Sequence, residues 1–173
     1  MTIRPETQAK IDALIAEYPQ KRSALLPALK LVQADAGYLG PEQMQAVADL
    51  FDLNVNVLYQ LASFYSMLHL QPRGQFHVEL CDGLPCMLRG VEDLCARAEA
   101  RLGLKAGATT PDNRITFTRI ECIGSCDRAP ALLVNHLYVE NLTPEHLDAL
   151  LDSLQRGEIP HHLLRDPELV GTH

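Results

Sequence analysis

The chain has 173 residues, of which 47% are hydrophobic, 21% charged and 5% aromatic, which is the make-up of a globular protein of one domain or two small ones and excludes a disordered or fibrous chain. With 22 acidic against 15 basic residues the net charge is -7, so phosphate backbones are repelled and no nucleic acid partner is expected. Apolar runs such as Ala131 to Val134 fall far short of the roughly 20 residues that span a bilayer, and no direct membrane insertion is expected.

The N-terminus, Met1 to Glu6, lacks the apolar stretch of a secretion signal and carries an early acid that a transit peptide avoids. The expectation is a cytoplasmic protein, or the matrix-side form of a processed precursor. The first seventy residues then read as one helix after another. Ile11, Leu14, Ile15 and Tyr18 recur at helical spacing behind Pro5, a good first-turn residue. A second amphipathic segment starts near Ser23, turns Leu25, Leu29, Val32 and Ala36 inward, and stops at Gly37, a candidate left-handed cap. A third follows Gly40-Pro41 with Met44, Val47, Ala48 and Phe51 on one face. A fourth follows Asn54, whose side chain can cap free N–H groups, and aligns Leu58, Leu61, Ala62 and Tyr65. Short connections between such helices favour a small antiparallel bundle over residues 1–70, broken by Gln71-Pro72-Arg73-Gly74.

Beyond that break the period changes from helical to alternating. Phe76, Val78 and Leu80 line one face of a strand that ends at Cys81. Cys86 is expected to open a helix whose apolar stripe is Val91, Leu94, Cys95, Ala98 and Leu102, closed by Gly103. A turn at Thr110 to Asn113 leads to a second strand, Ile115 to Glu121, ending at Cys122. Two short strands, Ala131 to Val134 and Leu137 to Val139, flank an Asn135-His136 turn. Thr143-Pro144 caps a last helix with Leu147, Leu150, Leu151 and Leu154 inward. The order β-α-β-β-β-α is that of a thioredoxin-like sandwich over residues 75–156, and residues 157–173 form an unpatterned tail that a partner could order.

Five cysteines in a reducing compartment point to metal or redox chemistry. Four of them form Cys81-x4-Cys86 and Cys122-x3-Cys126, and each pair starts where a strand ends. If the two strands belong to one βαβ unit, they are parallel and both pairs converge at one sheet edge. Four thiolates at one point suit an iron–sulfur cluster or zinc, and free or disulfide-forming thiols stay open as a third reading. Gly83 and Gly124 would let backbone N–H groups approach the sulfurs. Cys95 falls on its helix's apolar stripe and reads as a buried, inert thiol. His161-His162 lies in the tail and reads as solvated. The C-x-x-C motif of a thioredoxin-type enzyme is absent, as are the glycine-rich loops that cradle dinucleotides or phosphates.

The run Cys81-Asp82-Gly83-Leu84-Pro85-Cys86, followed by Leu88-Arg89-Gly90, Thr110-Pro111-Asp112, Glu121-Cys122, Cys126, Ala129-Pro130 and Asn141 to Glu145, resembles the thioredoxin-like [2Fe–2S] subunit of respiratory complex I. Ala62-Ser63-Phe64-Tyr65 resembles that family's N-terminal bundle, and the match extends to about residue 156. The resemblance implies an α+β chain: a small helical bundle followed by a thioredoxin-like [2Fe–2S] ferredoxin domain. It implies one [2Fe–2S] cluster on Cys81, Cys86, Cys122 and Cys126, and docking against the flavin- and NADH-binding subunit, with FMN and NADH on that partner only and further iron–sulfur subunits beyond. Through such a complex the chain would sit peripherally on the inner membrane. Similar subunits serve NAD-linked hydrogenases and formate dehydrogenases, so the alternatives are an equivalent subunit there or, from another class, a zinc-stabilised scaffold. The charged pair Asp127-Arg128 beside Cys126 has no deducible effect on a cluster.

Overall fold

A computed structural model describes residues 3–164 of the chain, which divides into two compact units, one running to Pro72 and the other beginning at Arg73. The first unit is helical: α1 (Pro5–Glu17), a 3-10 turn (Lys21–Ala24), α2 (Leu25–Ala36), α3 (Pro41–Phe51) and α4 (Val55–Phe64). Its core is built from Ile11, Leu25, Ala28, Leu29, Val32, Met44, Val47, Ala48, Phe51, Leu58 and Ala62. The stops follow local chemistry. Gly37 caps α2 at φ +81°, a left-handed conformation that glycine enters without penalty. The Asn54 side chain accepts a hydrogen bond from the Asn56 N–H at 2.9 Å and so satisfies a free donor at the start of α4.

The second unit holds β1 (Phe76–Cys81), α5 (Leu84–Leu88), α6 (Val91–Leu102), β2 (Ala108–Thr109), β3 (Ile115–Ile120), β4 (Leu132–Val134), β5 (Leu137–Val139) and α7 (Pro144–Arg156). The strands form one sheet in the order β2-β3-β1-β4-β5. The central pair, β1 with β3, is parallel and in register from Phe76 opposite Ile115 to Cys81 opposite Ile120; the other pairings are antiparallel. Asn135 and His136 both take positive φ, as a two-residue hairpin between β4 and β5 requires. Thr143 caps α7 through its hydroxyl, which accepts from the His146 N–H at 3.2 Å. Leu147, Leu150, Leu151 and Leu154 are all fully buried against the core that also takes in the α6 stripe. Burying a leucine is worth about 1.5–3 kcal/mol, whereas exposed ion pairs such as Arg97–Asp148, at 2.7 Å between α6 and α7, contribute about 1 kcal/mol or less. The apolar face therefore docks α7, and the ion pairs trim its register.

Several expectations change in the folded chain. Tyr18 lies beyond α1 in an extended conformation and is exposed, because the following Pro19 disfavours the helical region for the residue before it. The second helix begins at Leu25 after a 3-10 turn, and Ala36 at its end is exposed. The single helix expected from Cys86 onward is two, with Cys86 inside the five-residue α5 and Gly90 at φ +82° turning the chain into α6. The strand expected to end at Glu121 ends at Ile120, and the one expected from Ala131 starts at Leu132. All six residues of β1 are buried, His77 and Glu79 among them. In the tail, His161–Leu163 form a 3-10 turn; residues 165–173 of it lie outside the described residues.

Candidate metal centre

Because β1 and β3 run parallel with Cys81 opposite Ile120, the chain leaves both strands at the same edge of the sheet. The Asp82 N–H donates to the Ile120 carbonyl at 2.9 Å, and the Cys81 N–H donates to the Ala131 carbonyl at 3.1 Å, which fixes the exit of the first cysteine loop. Pro85 in the first turn of α5 starts a short helix without wasting a donor, and that helix presents Cys86. Cys126 opens a 3-10 turn through Arg128, and the Tyr138 hydroxyl donates to the Ile123 carbonyl at 2.9 Å, tying the second cysteine loop to β5.

The two loops touch. A Cβ placed on Gly83 would lie 2.7 Å from the Glu121 carbonyl oxygen, 3.7 Å from the Cys81 sulfur and 3.8 Å from the Cys122 Cβ. Gly83 therefore serves a close approach of backbone, here to the Glu121 carbonyl. Gly124 does donate: at φ +80° its N–H points to the Cys122 sulfur at 3.4 Å. Cys86 lies against Cys81 and near Cys126, and Cys126 lies against Cys122 and near Cys81. Cys81 and Cys86 are buried while Cys122 and Cys126 are exposed, so the group of four opens to solvent on one side.

Electrostatics favours a positively charged occupant. Burial, followed by the neighbouring thiols Cys81 and Cys126, pushes the Cys86 thiol up to about 11, against a hydrogen bond from the Ala131 N–H that favours its anion. Cys126 is also raised, first by its hydrogen bond with Cys122, then by desolvation, and after that by the nearby thiol charges and Asp127. Thiolates crowded in this way hold their charge when cations bind them. Among the described residues no three His, Cys, Asp or Glu side chains are grouped as they are around a single ion. The donor set of two cysteine pairs, with N–H groups of Gly124 and Ala131 at the sulfurs, fits an iron–sulfur cluster, which these four side chains would hold.

Cys95 is buried on the α6 stripe away from this group, its thiol raised mainly by desolvation. His161 and His162 are exposed. Arg128 pairs with Asp127 at 3.7 Å and with Glu140 at 3.4 Å. A buried polar group that the sequence did not reveal sits along β1. Arg73 donates to His77 Nδ1 at 2.8 Å, so Nε2 carries the ring proton and donates to Thr118 Oγ1 at 2.9 Å, and Glu79 lies 3.6 Å from Nδ1. Strand alternation placed only Phe76, Val78 and Leu80 on a face and carried no signal for this group.

Residues 11–155 match the thioredoxin-like [2Fe–2S] ferredoxin family. The chain is 41% identical over 158 residues, 91% of its own length and 92% of the relative's, to a subunit of the NADH-quinone oxidoreductase of Rhizobium meliloti. It is 34% identical over 156 residues to the mitochondrial NADH dehydrogenase [ubiquinone] flavoprotein 2 of Dictyostelium discoideum, covering 88% of this chain and 63% of that one. Among solved structures, an NAD+-reducing [NiFe]-hydrogenase in the air-oxidised state superposes with a TM-score of 0.71 at 26% identity, over 82% of this chain and 25% of the hydrogenase chain.

Proposed function

From the premise that the chain belongs to the thioredoxin-like [2Fe–2S] ferredoxin family, we propose that Cys81, Cys86, Cys122 and Cys126 are the ligands of its cluster and that the flavin- and NADH-binding subunit of an NADH:quinone oxidoreductase is its partner. The chain is a [2Fe–2S] electron-transfer subunit of an oxidoreductase complex, and the family it matches carries that cluster. The ligand assignment is carried by one observation: two cysteine pairs, far apart in sequence, meet where the parallel strands β1 and β3 end.

When bound, the cluster supplies one-electron chemistry. The protein's own part is to hold the four sulfurs, to stabilise added negative charge through the N–H groups of Gly124 and Ala131, and to keep Cys81 and Cys86 away from water. Division of a hydride into single electrons belongs to flavin, for which this chain carries no dinucleotide-binding loop. In this reading residues 75–156 carry the cluster, and the 1–70 bundle and 157–173 tail are docking elements toward that subunit and further iron–sulfur subunits. The bundle's open groove of about 480 Å³, lined in part by Leu26, Val57, Leu61 and the exposed Phe64, supports that role. Among the described residues no helix is long and apolar enough to cross a membrane. In this reading the chain reaches the cytoplasmic or matrix side of the inner membrane through its complex.

Protein purified anaerobically from its native host should contain two irons and two acid-labile sulfides per chain. Stoichiometric zinc without sulfide would identify the zinc scaffold instead. Serine at any of the four ligand positions should weaken or alter the cluster's spectrum, and Cys95→Ser should not remove it. The superposition on the hydrogenase favours a second reading, the equivalent subunit of an NAD-linked hydrogenase, and the catalytic subunits that co-purify with the chain decide between the two.

A further inference from the structure

Arg119 lies at the end of β3, opposite Leu80 of β1 and on the same side of the sheet as α6. Its Nε donates to Asp82 Oδ2 at 3.0 Å, and its Nη1 donates to Glu92 Oε2 at 3.0 Å, with a second donation from Nη2 to Glu92 Oε1. Asp82 directly follows Cys81, and Glu92 stands in the first turn of α6, whose start is joined to α5 and Cys86 through Gly90. One guanidinium thus joins three pieces of chain: the strand that leads to Cys122, the loop between Cys81 and Cys86, and the helix that follows Cys86. Its planar fork suits this use, since it presents fixed donors on two sides and never loses its charge, and the paired carboxylates hold that charge still more firmly. The guanidinium also lies against the buried Cys95 thiol.

The same charge arrangement recurs at the other cysteine pair, where Arg128 stands between Asp127 and Glu140, though at longer distances of 3.7 and 3.4 Å. Each pair is flanked by two carboxylates and one guanidinium, and in each a carboxylate directly follows a cysteine, Asp82 after Cys81 and Asp127 after Cys126. The contacts around Arg119 are the shorter.

On the reading that these cysteines hold a [2Fe–2S] cluster, we propose that Arg119 is a positioning residue for the cluster. It clamps the Cys81–Cys86 loop to β3 and α6, and its charge offsets Asp82 and Glu92, so that the cluster accepts an electron more readily than two bare carboxylates beside it would allow. Consecutive Cα atoms are about 3.8 Å apart, which puts the Asp82 carboxylate within about 10 Å of the Cys81 sulfur. At that distance one unit charge, in a medium of effective dielectric constant between about 20 and 80, changes the reduced-to-oxidised ratio by about two- to fifteenfold.

The test is the midpoint potential and the electron paramagnetic resonance spectrum of the full chain, with iron and sulfide content measured on each sample. Arg119→Gln should retain the cluster and move the potential to more negative values. Asp82→Asn and Glu92→Gln weaken the same ion pairs and remove a negative charge, and each should move the potential to more positive values. Arg119→Lys keeps the charge and should restore a potential near that of the unaltered chain. A purely structural clamp would move Arg119→Gln, Asp82→Asn and Glu92→Gln in one direction or none, and either pattern, or shifts under twofold in the ratio in these three, overturns the proposal. If Arg119→Gln loses its cluster, Asp82→Asn and Glu92→Gln decide alone: positive shifts uphold the proposal, and no shift overturns it. Absence of iron and sulfide from the unaltered chain would instead overturn the cluster reading, a separate result.

Discussion

Replacing Gly83 by alanine is expected to drive apart the loops that carry the two cysteine pairs. Gly83 sits at φ -59°, which any residue adopts, so the added methyl brings no backbone strain. Its cost is steric: the new carbon would lie 2.7 Å from the Glu121 carbonyl oxygen, about 0.7 Å inside ordinary van der Waals contact at 3.4 Å. The obstacle is backbone at the end of β3, anchored by the pairing of Ile120 with Cys81, and it cannot rotate away as a side chain would. Overpacking of this kind costs about 1–3 kcal/mol. The consequence for the centre is larger, because metal–ligand distances tolerate only about 0.2 Å. Gly124→Ala is the matched control. At φ +80° it strains the backbone by about 1–2 kcal/mol, but nothing lies within 4 Å of the added carbon, so the loops stay together. Iron and sulfide content with visible absorption, measured beside urea unfolding, should show Gly83→Ala losing most of its cluster and Gly124→Ala keeping it. Gly83→Ala with full cluster content and an unchanged unfolding midpoint, or equal loss in both variants, would refute the steric argument.

Burial, then the charges of Arg73 and His136, depress His77 to about 4, so the folded chain holds it neutral while the unfolded chain takes up a proton below about 6.5. Stability contributed by the neutral ring is complete above that value and is lost as pH falls from 6.5 toward 4, by about 2 kcal/mol at pH 5; His77→Gln should flatten the difference between urea midpoints at pH 7.5 and pH 5. Phe117→Ala, at a fully buried position in β3, should cost about 3–5 kcal/mol in the same assay. The isolated chain should be reduced by dithionite but should not oxidise NADH, and NADH turnover without added flavoprotein would contradict the carrier role.

Much of the fold was legible because it rests on local chemistry. Gly37, Asn54 and Thr143 end or begin helices through interactions with residues two to four positions away, and the helical faces at Met44 to Phe51 and Leu147 to Leu154 repeat at the period of the helix itself. The cysteine spacing carried further, since a pair at the end of each of two parallel strands must meet at one edge. Tertiary structure decided the rest. β2 has two residues, too few to show any period, and exists because β3 offers it an edge. His77 and Glu79 lie between the apolar positions of β1 and are buried, because the partners that satisfy His77 come from Arg73, before β1 begins, and from Thr118 on β3. Gly83 resembles a loop glycine until the Glu121 carbonyl is set against it, and Arg119 resembles a solvated strand-end charge until Asp82 and Glu92, 37 and 27 residues away, are brought to it. Periodicity and capping are properties of neighbours along the chain, whereas close approach and charge pairing depend on which distant segments the sheet brings side by side.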